Sequence, residues 1–301
     1  MISSIRSTVT AAVGLLSTLL LVSKDAHAQV DLLDDPFVAP AVFQAAGPTA
    51  ASIQGTVNAF RDALGTVNNG NNPGPLLTGR REINWDGGNP NIVDTTPPVT
   101  PFNTFLNTRG SRFTTPGVGL SQVAPVGLEA LFGNPNYAEI FTTFSPSRLF
   151  TPVGSNVTES FFFVPGTNGA KPAAVTGFGI VFADVDQPNG ANARKPSTVV
   201  EYFDRRGKRI FISSVPASPG DKSLSFFGIV FNDARIASVR ITAGDVAPGP
   251  NDDNQHDIVM LDDFIYGEPQ VLLGIATERA GDESAISLES AARLSATSDS
   301  P

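Results

Sequence analysis

Across the second half of the chain the apolar positions alternate with polar ones at a period of two. In VVEYFD and KRIFISSV every second residue is apolar, and Asp204-Arg205-Arg206-Gly207 between them reads as the turn of a β-hairpin. Five apolar runs separated by turns fill residues 148–268: NVTESFFFVPG, AAVTGFGIVFADVD, STVVEYFDRRGKRIFISSV, LSFFGIVFNDARIASVRITAG and DIVMLDDFIYG. One segment has a different period. After Thr49, residues Ile53, Val57, Phe60 and Leu64 recur at spacings of four, three and four, and Gly65 follows, which predicts a helix laid over a sheet face or the open end of a sandwich. Residues 80–150 carry Pro and Gly every few positions; RFTTPGVG reads as a short strand and turn, and GLEALFGNP as a helical turn closed by Gly133.

These patterns divide the chain into a lead-in and accessory helix (29–65), a β-sandwich domain (66–268) and a flexible acidic tail (269–301). Within the domain, GFGIVFADV at 177–185 echoes FFGIVFNDA at 226–234. Two central strands of a sandwich converging on Phe and β-branched residues account for the echo better than duplication does.

Composition sharpens the fold class: 21 Phe against two Met, with 28 Gly and 24 Pro, suit strands between tight turns. The first residues add a destination. Arg6, the apolar stretch Val9–Val22 and Ala26-His27-Ala28 have the three-part form of a secretory signal peptide, residues 1–28, cut after Ala28. Polar Ser23-Lys24-Asp25 stops the apolar run short of the about 20 residues a membrane span needs, and no later segment is long and apolar enough. The expected product is a secreted protein, periplasmic, cell-surface or extracellular. Without the leader, 18 basic and 28 acidic residues remain, a formal charge of −10 that argues against nucleic acid as a partner. Cysteine is absent, so the exported fold must be held by its core, with metal ions at clustered carboxylates as an optional aid.

Candidate chemistry is correspondingly narrow. His27 leaves with the leader, so His256 is the single histidine. Cys-His nucleophiles, HExxH sites and multi-histidine metal centres are excluded, and no G-x-S-x-G elbow exists. His256, in an acidic loop, reads as a surface residue. Paired carboxylates remain open, as metal ligands or as a glycosidase acid and base. Asp184 and Asp186 lie two apart before a Pro/Asn/Gly turn. Asp262 and Asp263 fall on opposite sides of a strand if alternation holds, so one of them faces inward and requires a cation or an arginine, with Arg80, Arg81 and Arg240 as candidates. Asp245, Asp252, Asp253 and Asp257 form a second acidic cluster that lacks the glycine of an EF-hand and reads as a solvated loop. Trp85, the only tryptophan, sits beside Ile83 in the core if REINWDG is a strand, leaving Asp86 free to bind an ion or cap the Gly87-Gly88 turn. The alternative is an exposed Trp85 stacking on a sugar, with Tyr137, Tyr202 and Tyr266 as companions.

The series GRREINWDGG, RGSRFTTPG, AVTGFGIVFADVDQP, VVEYFDRRGKRIF, LSFFGIVFNDARIASVRI and DIVMLDDFIYGEP resembles a family of uncharacterised exported bacterial proteins with relatives among PEP-CTERM-sorted surface proteins. The resemblance covers roughly residues 55–270 and implies location and shape rather than an activity. The C-terminal sorting signal of those relatives is not found here, which favours release. More loosely, the motifs are similar to lectin-like jelly rolls and carbohydrate-binding modules. That likeness implies a structural calcium held between an early strand and the last, offering Glu82, Asp86, Asp262 and Asp263.

The expectation is an all-β, antiparallel jelly-roll-like sandwich with one accessory N-terminal α-helix, calcium-stabilised, acting as a non-catalytic binding or structural protein. Extracellular polysaccharide and self-association are the two partner readings, and a glycoside-acting enzyme using paired carboxylates is the third alternative.

Overall fold

The apolar stripe after Thr49 winds into the helix its spacing predicts. The computed structural model describes residues 38–87, 96–187, 197–250 and 256–272; the signal-peptide segment and nearly all of the acidic tail lie outside them. The chain divides into the units Met1–Val38 and Ala39–Pro301, and every element belongs to the second. Helix α1, Ala50–Leu64, buries Ile53, Val57, Phe60 and Leu64. Its C-terminal turn closes at Gly65, whose φ of 128° suits glycine and whose N–H reaches the carbonyls of Arg61 and Asp62. Thr49 stands at the N-cap with extended backbone, but its hydroxyl meets that of Ser52 at 3.0 Å instead of capping an N–H. Two short helices follow later, α2 (Pro125–Phe132), ended by Gly133 in the left-handed conformation, and α3 (Tyr137–Ile140).

The strands are β1 Ala41–Gly47, β2 Arg80–Ile83, β3 Ser111–Thr114, β4 Gly119–Val123, β5 Leu149–Val153, β6 Val157–Phe162, β7 Ala173–Ala174, β8 Gly177–Ala183, β9 Val199–Phe203, β10 Arg209–Ser214, β11 Leu224–Val230, β12 Ser238–Thr242, β13 Met260–Gly267 and β14 Gln270–Val271. All strand pairings are antiparallel. A seven-stranded sheet runs β1-β11-β8-β13-β5-β4 with β2 also on β13, and a five-stranded sheet runs β10-β9-β12-β6-β3. The chain changes between these two sheets from β2 to β3, β3 to β4, β5 to β6, β8 to β9, β10 to β11, β11 to β12 and β12 to β13, and passes from β6 to β8 through β7, which pairs with β14 in a two-stranded sheet, the interleaving of an all-β sandwich. Strand β1 lies in the stretch that the sequence reads as a lead-in. It is the edge of the larger sheet and only partly buried, with Phe43 and Ala45 against the core below α1.

The larger sheet is covered on both faces, and this explains why β8 and β13 are buried along their whole length. Between the sheets, Phe150, Phe178, Ile180, Phe182, Phe227 and Phe264 meet Phe113, Phe162, Val200, Tyr202, Val239 and Ile241. On the outer face the α1 stripe packs with Val181, Phe226, Met260 and Ile265, together with Leu128, Phe132 and Tyr137 from α2 and α3. The sequence echo acquires a physical meaning here. Its two copies are the neighbouring strands β8 and β11, and their shared glycines pair directly, Gly179 with Gly228. A Cβ on Gly179 would come within 2.7 Å of the Phe60 ring, and one on Gly228 within 2.8 Å, so the two glycines form the socket that seats α1. Gly179→Ala is therefore expected to displace Phe60 and destabilise the fold by about 1–3 kcal/mol in denaturant unfolding, while an alanine at Gly55, which meets nothing, does not.

Candidate functional site

Strand β13 departs from simple alternation at its centre. Leu261 pairs with Phe182, but Phe264 pairs with Ile180, so Asp262 and Asp263 together face Val181 in a β-bulge. The consequence is a slip of parity: Leu261 and Phe264 both enter the inter-sheet core, while Met260 and Ile265 both face α1. The expectation that the two aspartates lie on opposite sides is corrected by this bulge. Both carboxyls turn to the loop before β5, where Phe144 N–H donates to Asp262 Oδ2 (2.6 Å) and Ser145 Oγ donates to Asp263 Oδ1 (2.6 Å).

The same loop brings in Asp86. Its Oδ1 accepts the backbone N–H groups of Ser147 and Arg148, and its Oδ2 lies 3.1 Å from Ser145 Oγ. Glu82 closes the group from β2. Its two oxygens are taken by arginines, Oε1 by Arg80 Nε (2.6 Å) and Oε2 by Arg61 Nη2 (2.8 Å), and Arg61 also reaches Asp263 Oδ2 at 3.5 Å. The four carboxylates implied by the jelly-roll likeness are thus neighbours, linked through Ser145 and Arg61.

Their electrostatics are those of crowded acceptors. Asp262 is fully buried and Asp263 nearly so. Burial, reinforced by the neighbouring Asp263 charge, pushes the Asp262 carboxyl well up from the ordinary carboxylate value, and burial raises Asp263 to about 6. Ionised, Asp262 Oδ1 has no donor to face; protonated, it bonds to Asp263. Ser145 Oγ lies near three acceptors, Asp263 Oδ1, Asp86 Oδ2 and Asn84 O (3.5 Å), and a hydroxyl has one proton to give. The oxygen-only donor set suits a hard cation. Among the described residues, no three His, Cys, Asp or Glu side chains already stand around a single ion position.

Of the arginine partners named from sequence, Arg80 reaches Glu82 of this group and the other two go elsewhere. Arg81, fully buried, forms a two-pronged pair with Glu268, Nε to Oε2 and Nη2 to Oε1, both 2.7 Å. Arg240 bonds Glu159 on the outer face of the smaller sheet. Arg61, on the helix, was not among the candidates; only its position in the last turn of an amphipathic stripe could have suggested that it reaches the sheet.

Asp184 and Asp186 do not join this group. They follow the end of β8, where Asp184 has a left-handed φ of 70° and donates its N–H to Ser223 O. Asp186 bonds Asp257 instead, so Asp257 is a buried group and not part of a solvated loop. Asp252 and Asp253 lie outside the described residues. Burial, with Asp186 beside it, raises Asp257 to about 7, against a hydrogen bond from Ser197 that lowers it; Asp245 Oδ1 accepts the Asp257 N–H and faces the half-exposed His256 at 3.8 Å. An aspartate raised in the fold holds a proton that the unfolded chain releases near pH 4, so its stabilising contribution is full below that pH and is lost as pH rises through about 7. Asp257 alone is expected to lower stability by on the order of 3 kcal/mol from pH 4 to pH 8, and Asp257→Asn to remove that share of the slope, both measurable by urea unfolding across that range.

Trp85 lies in the core, not on a sugar-binding surface. It is fully buried, stacked on Phe150 at 3.7 Å between ring centroids, and met edge-on by Phe102, Phe105, Phe113 and Phe264. Its companions Tyr137, Tyr202 and Tyr266 are equally buried. Strand β2 ends at Ile83, and Trp85 reaches the core from a left-handed φ of 63°, with Nε1 donating to Asp262 O (2.9 Å) and its carbonyl accepting Gln122 Nε2 (2.7 Å). The tryptophan thereby fixes the backbone of the bulge from the core side.

Among the described residues no helix is long and apolar enough to cross a membrane. No family model matches the chain, and no curated protein matches it. Among solved structures, the crystal structure of the K2 cleaved adhesin domain of Lys-gingipain (Kgp) aligns with 53% of this chain and 91% of that one at 10% identity, with a TM-score of 0.29, too low to bear on fold or function.

Proposed function

We propose that the protein is an exported, non-catalytic binding or structural β-sandwich whose last long strand is pinned by a calcium ion. The ion would be held by Asp262, Asp263 and Asp86, with Ser145 Oγ and Asn84 O as neutral ligands. The observation that carries this reading is the bulge in β13: it turns two adjacent carboxylates to one buried spot, against the alternation of the strand, and leaves Asp262 Oδ1 without a donor when ionised. Glu82 belongs to Arg61 and Arg80 and would orient the site without ligating. A cation there would tie β2, the loop before β5 and β13 together, the work that disulfides do in other exported chains.

A non-catalytic role is favoured by the geometry of the carboxyl pairs. Asp262 and Asp263 are close enough to share a proton, as are Asp186 and Asp257, so neither pair has the separation of about 5 Å or more by which the two carboxyls of a glycosidase flank a sugar bond. Isothermal calorimetry with calcium chloride at pH 7.5 tests the cation. The expected result is one saturable event, lost in Asp262→Asn and retained in Asp257→Asn; absence of binding at millimolar calcium would refute it.

A further inference from the structure

Among the described residues no helix or second sheet packs on the outer face of the five-stranded sheet, and its side chains follow from the register. Ser238 on β12 pairs with Phe161 on β6 to one side and Phe203 on β9 to the other, so two half-buried phenyl rings flank a small central residue. Two strand spacings, about 10 Å, separate the two phenylalanine positions across the sheet. In the next row Arg240 pairs with Glu159 and Glu201. Between the rings runs a groove of about 170 Å³, lined by Glu159, Phe161, Phe203, Gly207, Ser238 and Arg240 among others.

We infer that this groove binds a neutral polysaccharide strand, with Phe161 and Phe203 stacking on the C–H faces of sugar rings and the Arg240–Glu159 pair hydrogen-bonding their hydroxyls. The inference deepens the binding-module reading and rests on it. Charge argues for a neutral ligand. Arg240 gives both Nε and Nη2 to Glu159 Oε1 (3.0 and 2.7 Å), and Arg209 Nη1, from the row of Phe203, gives to Glu201 Oε1 (2.6 Å), so these two positive and two negative groups form a set already paired. It attracts neither a polyanion nor a polycation, and it offers N–H donors and carboxylate acceptors that hydroxyl groups satisfy. Area argues against a protein. The seven residues that line the groove fall far short of the 20–30 residues a side of a stable protein interface. The groove is also smaller than the about 300 Å³ of an enclosed small-molecule pocket, which suits one stretch of an extended polymer.

Affinity electrophoresis of the full chain through gels containing a soluble β-glucan, a xylan or a mannan, with polygalacturonate as the charged control, tests this. Retardation by at least one neutral polymer is expected, reduced at least tenfold in apparent affinity by Phe161→Leu with Phe203→Leu and by Ser238→Gln, which fills the groove floor without entering the core. The thermal shift with calcium should be unchanged in both variants, so loss of the cation site and loss of the glycan site are read separately. Four results would overturn the inference: no retardation by any neutral polymer, equal retardation of both variants, retardation by polygalacturonate alone, or dimerisation that the Ser238 variant abolishes.

Discussion

Arg81→Ala is expected to cost about 3–5 kcal/mol, a large share of the 5–15 kcal/mol that holds a typical domain together. The reason lies in what is left behind. Arg81 and Glu268 have side-chain exposures of 0% and 2%, and the guanidinium also donates to the carbonyls of Gly70 (2.8 Å) and Thr108 (3.1 Å). Glu268 in turn accepts Asn69 Nδ2 (2.8 Å) and Leu76 N–H (3.1 Å). Together they hold the long loop before β2 against the end of β13. Without Arg81 a buried carboxylate keeps two neutral donors and no countercharge. The double variant Arg81→Met, Glu268→Gln removes the charge from both ends and should recover at least half of the loss in guanidinium unfolding. A single-variant cost below about 1 kcal/mol would mean that water reaches Glu268.

Trp85→Ala should be as damaging, about 3–5 kcal/mol, because it empties the space between five phenyl rings that neighbouring side chains cannot collapse to fill. A second effect is specific to this position. The indole N–H holds Asp262 O, so the substitution frees the bulge and should weaken calcium binding, whereas Phe102→Leu, whose ring packs on Trp85, Phe105, Phe113 and Phe150, should leave the affinity within about threefold. As the only tryptophan, Trp85 also reports its own burial: its emission should be blue-shifted in the native protein and move red in one step with unfolding.

The helix was legible in full because its stripe is set by local geometry, and Ile53, Val57, Phe60 and Leu64 are all buried as spaced. Hairpin β9–β10 was legible for the same reason, since Asp204 and Gly207 make the turn with their own backbone and side-chain bonds. The bulge was not. Whether Asp262 and Asp263 split or turn together depends on Val181, some 80 residues away in sequence, and no period within β13 encodes it. Pairing of charges was hidden likewise: Arg81 chooses Glu268 across 187 positions. The groove on the smaller sheet was masked by composition, because the run Phe161-Phe162-Phe163 reads as uniformly apolar while Phe162 turns inward with Thr158 and Ser160 and Phe161 faces the other way.

The most direct test of the cation-pinned bulge is thermal unfolding of the protein at pH 7.5, once with calcium at about a thousandfold its dissociation constant and once with chelator. A ligand bound only by the native state then adds about 4 kcal/mol, a shift of several degrees. The account predicts that shift for the wild type and for Asp257→Asn, and its disappearance in Asp262→Asn. Identical melting with calcium and with chelator would contradict it and leave Asp262 and Asp263 as a carboxyl pair that shares a proton.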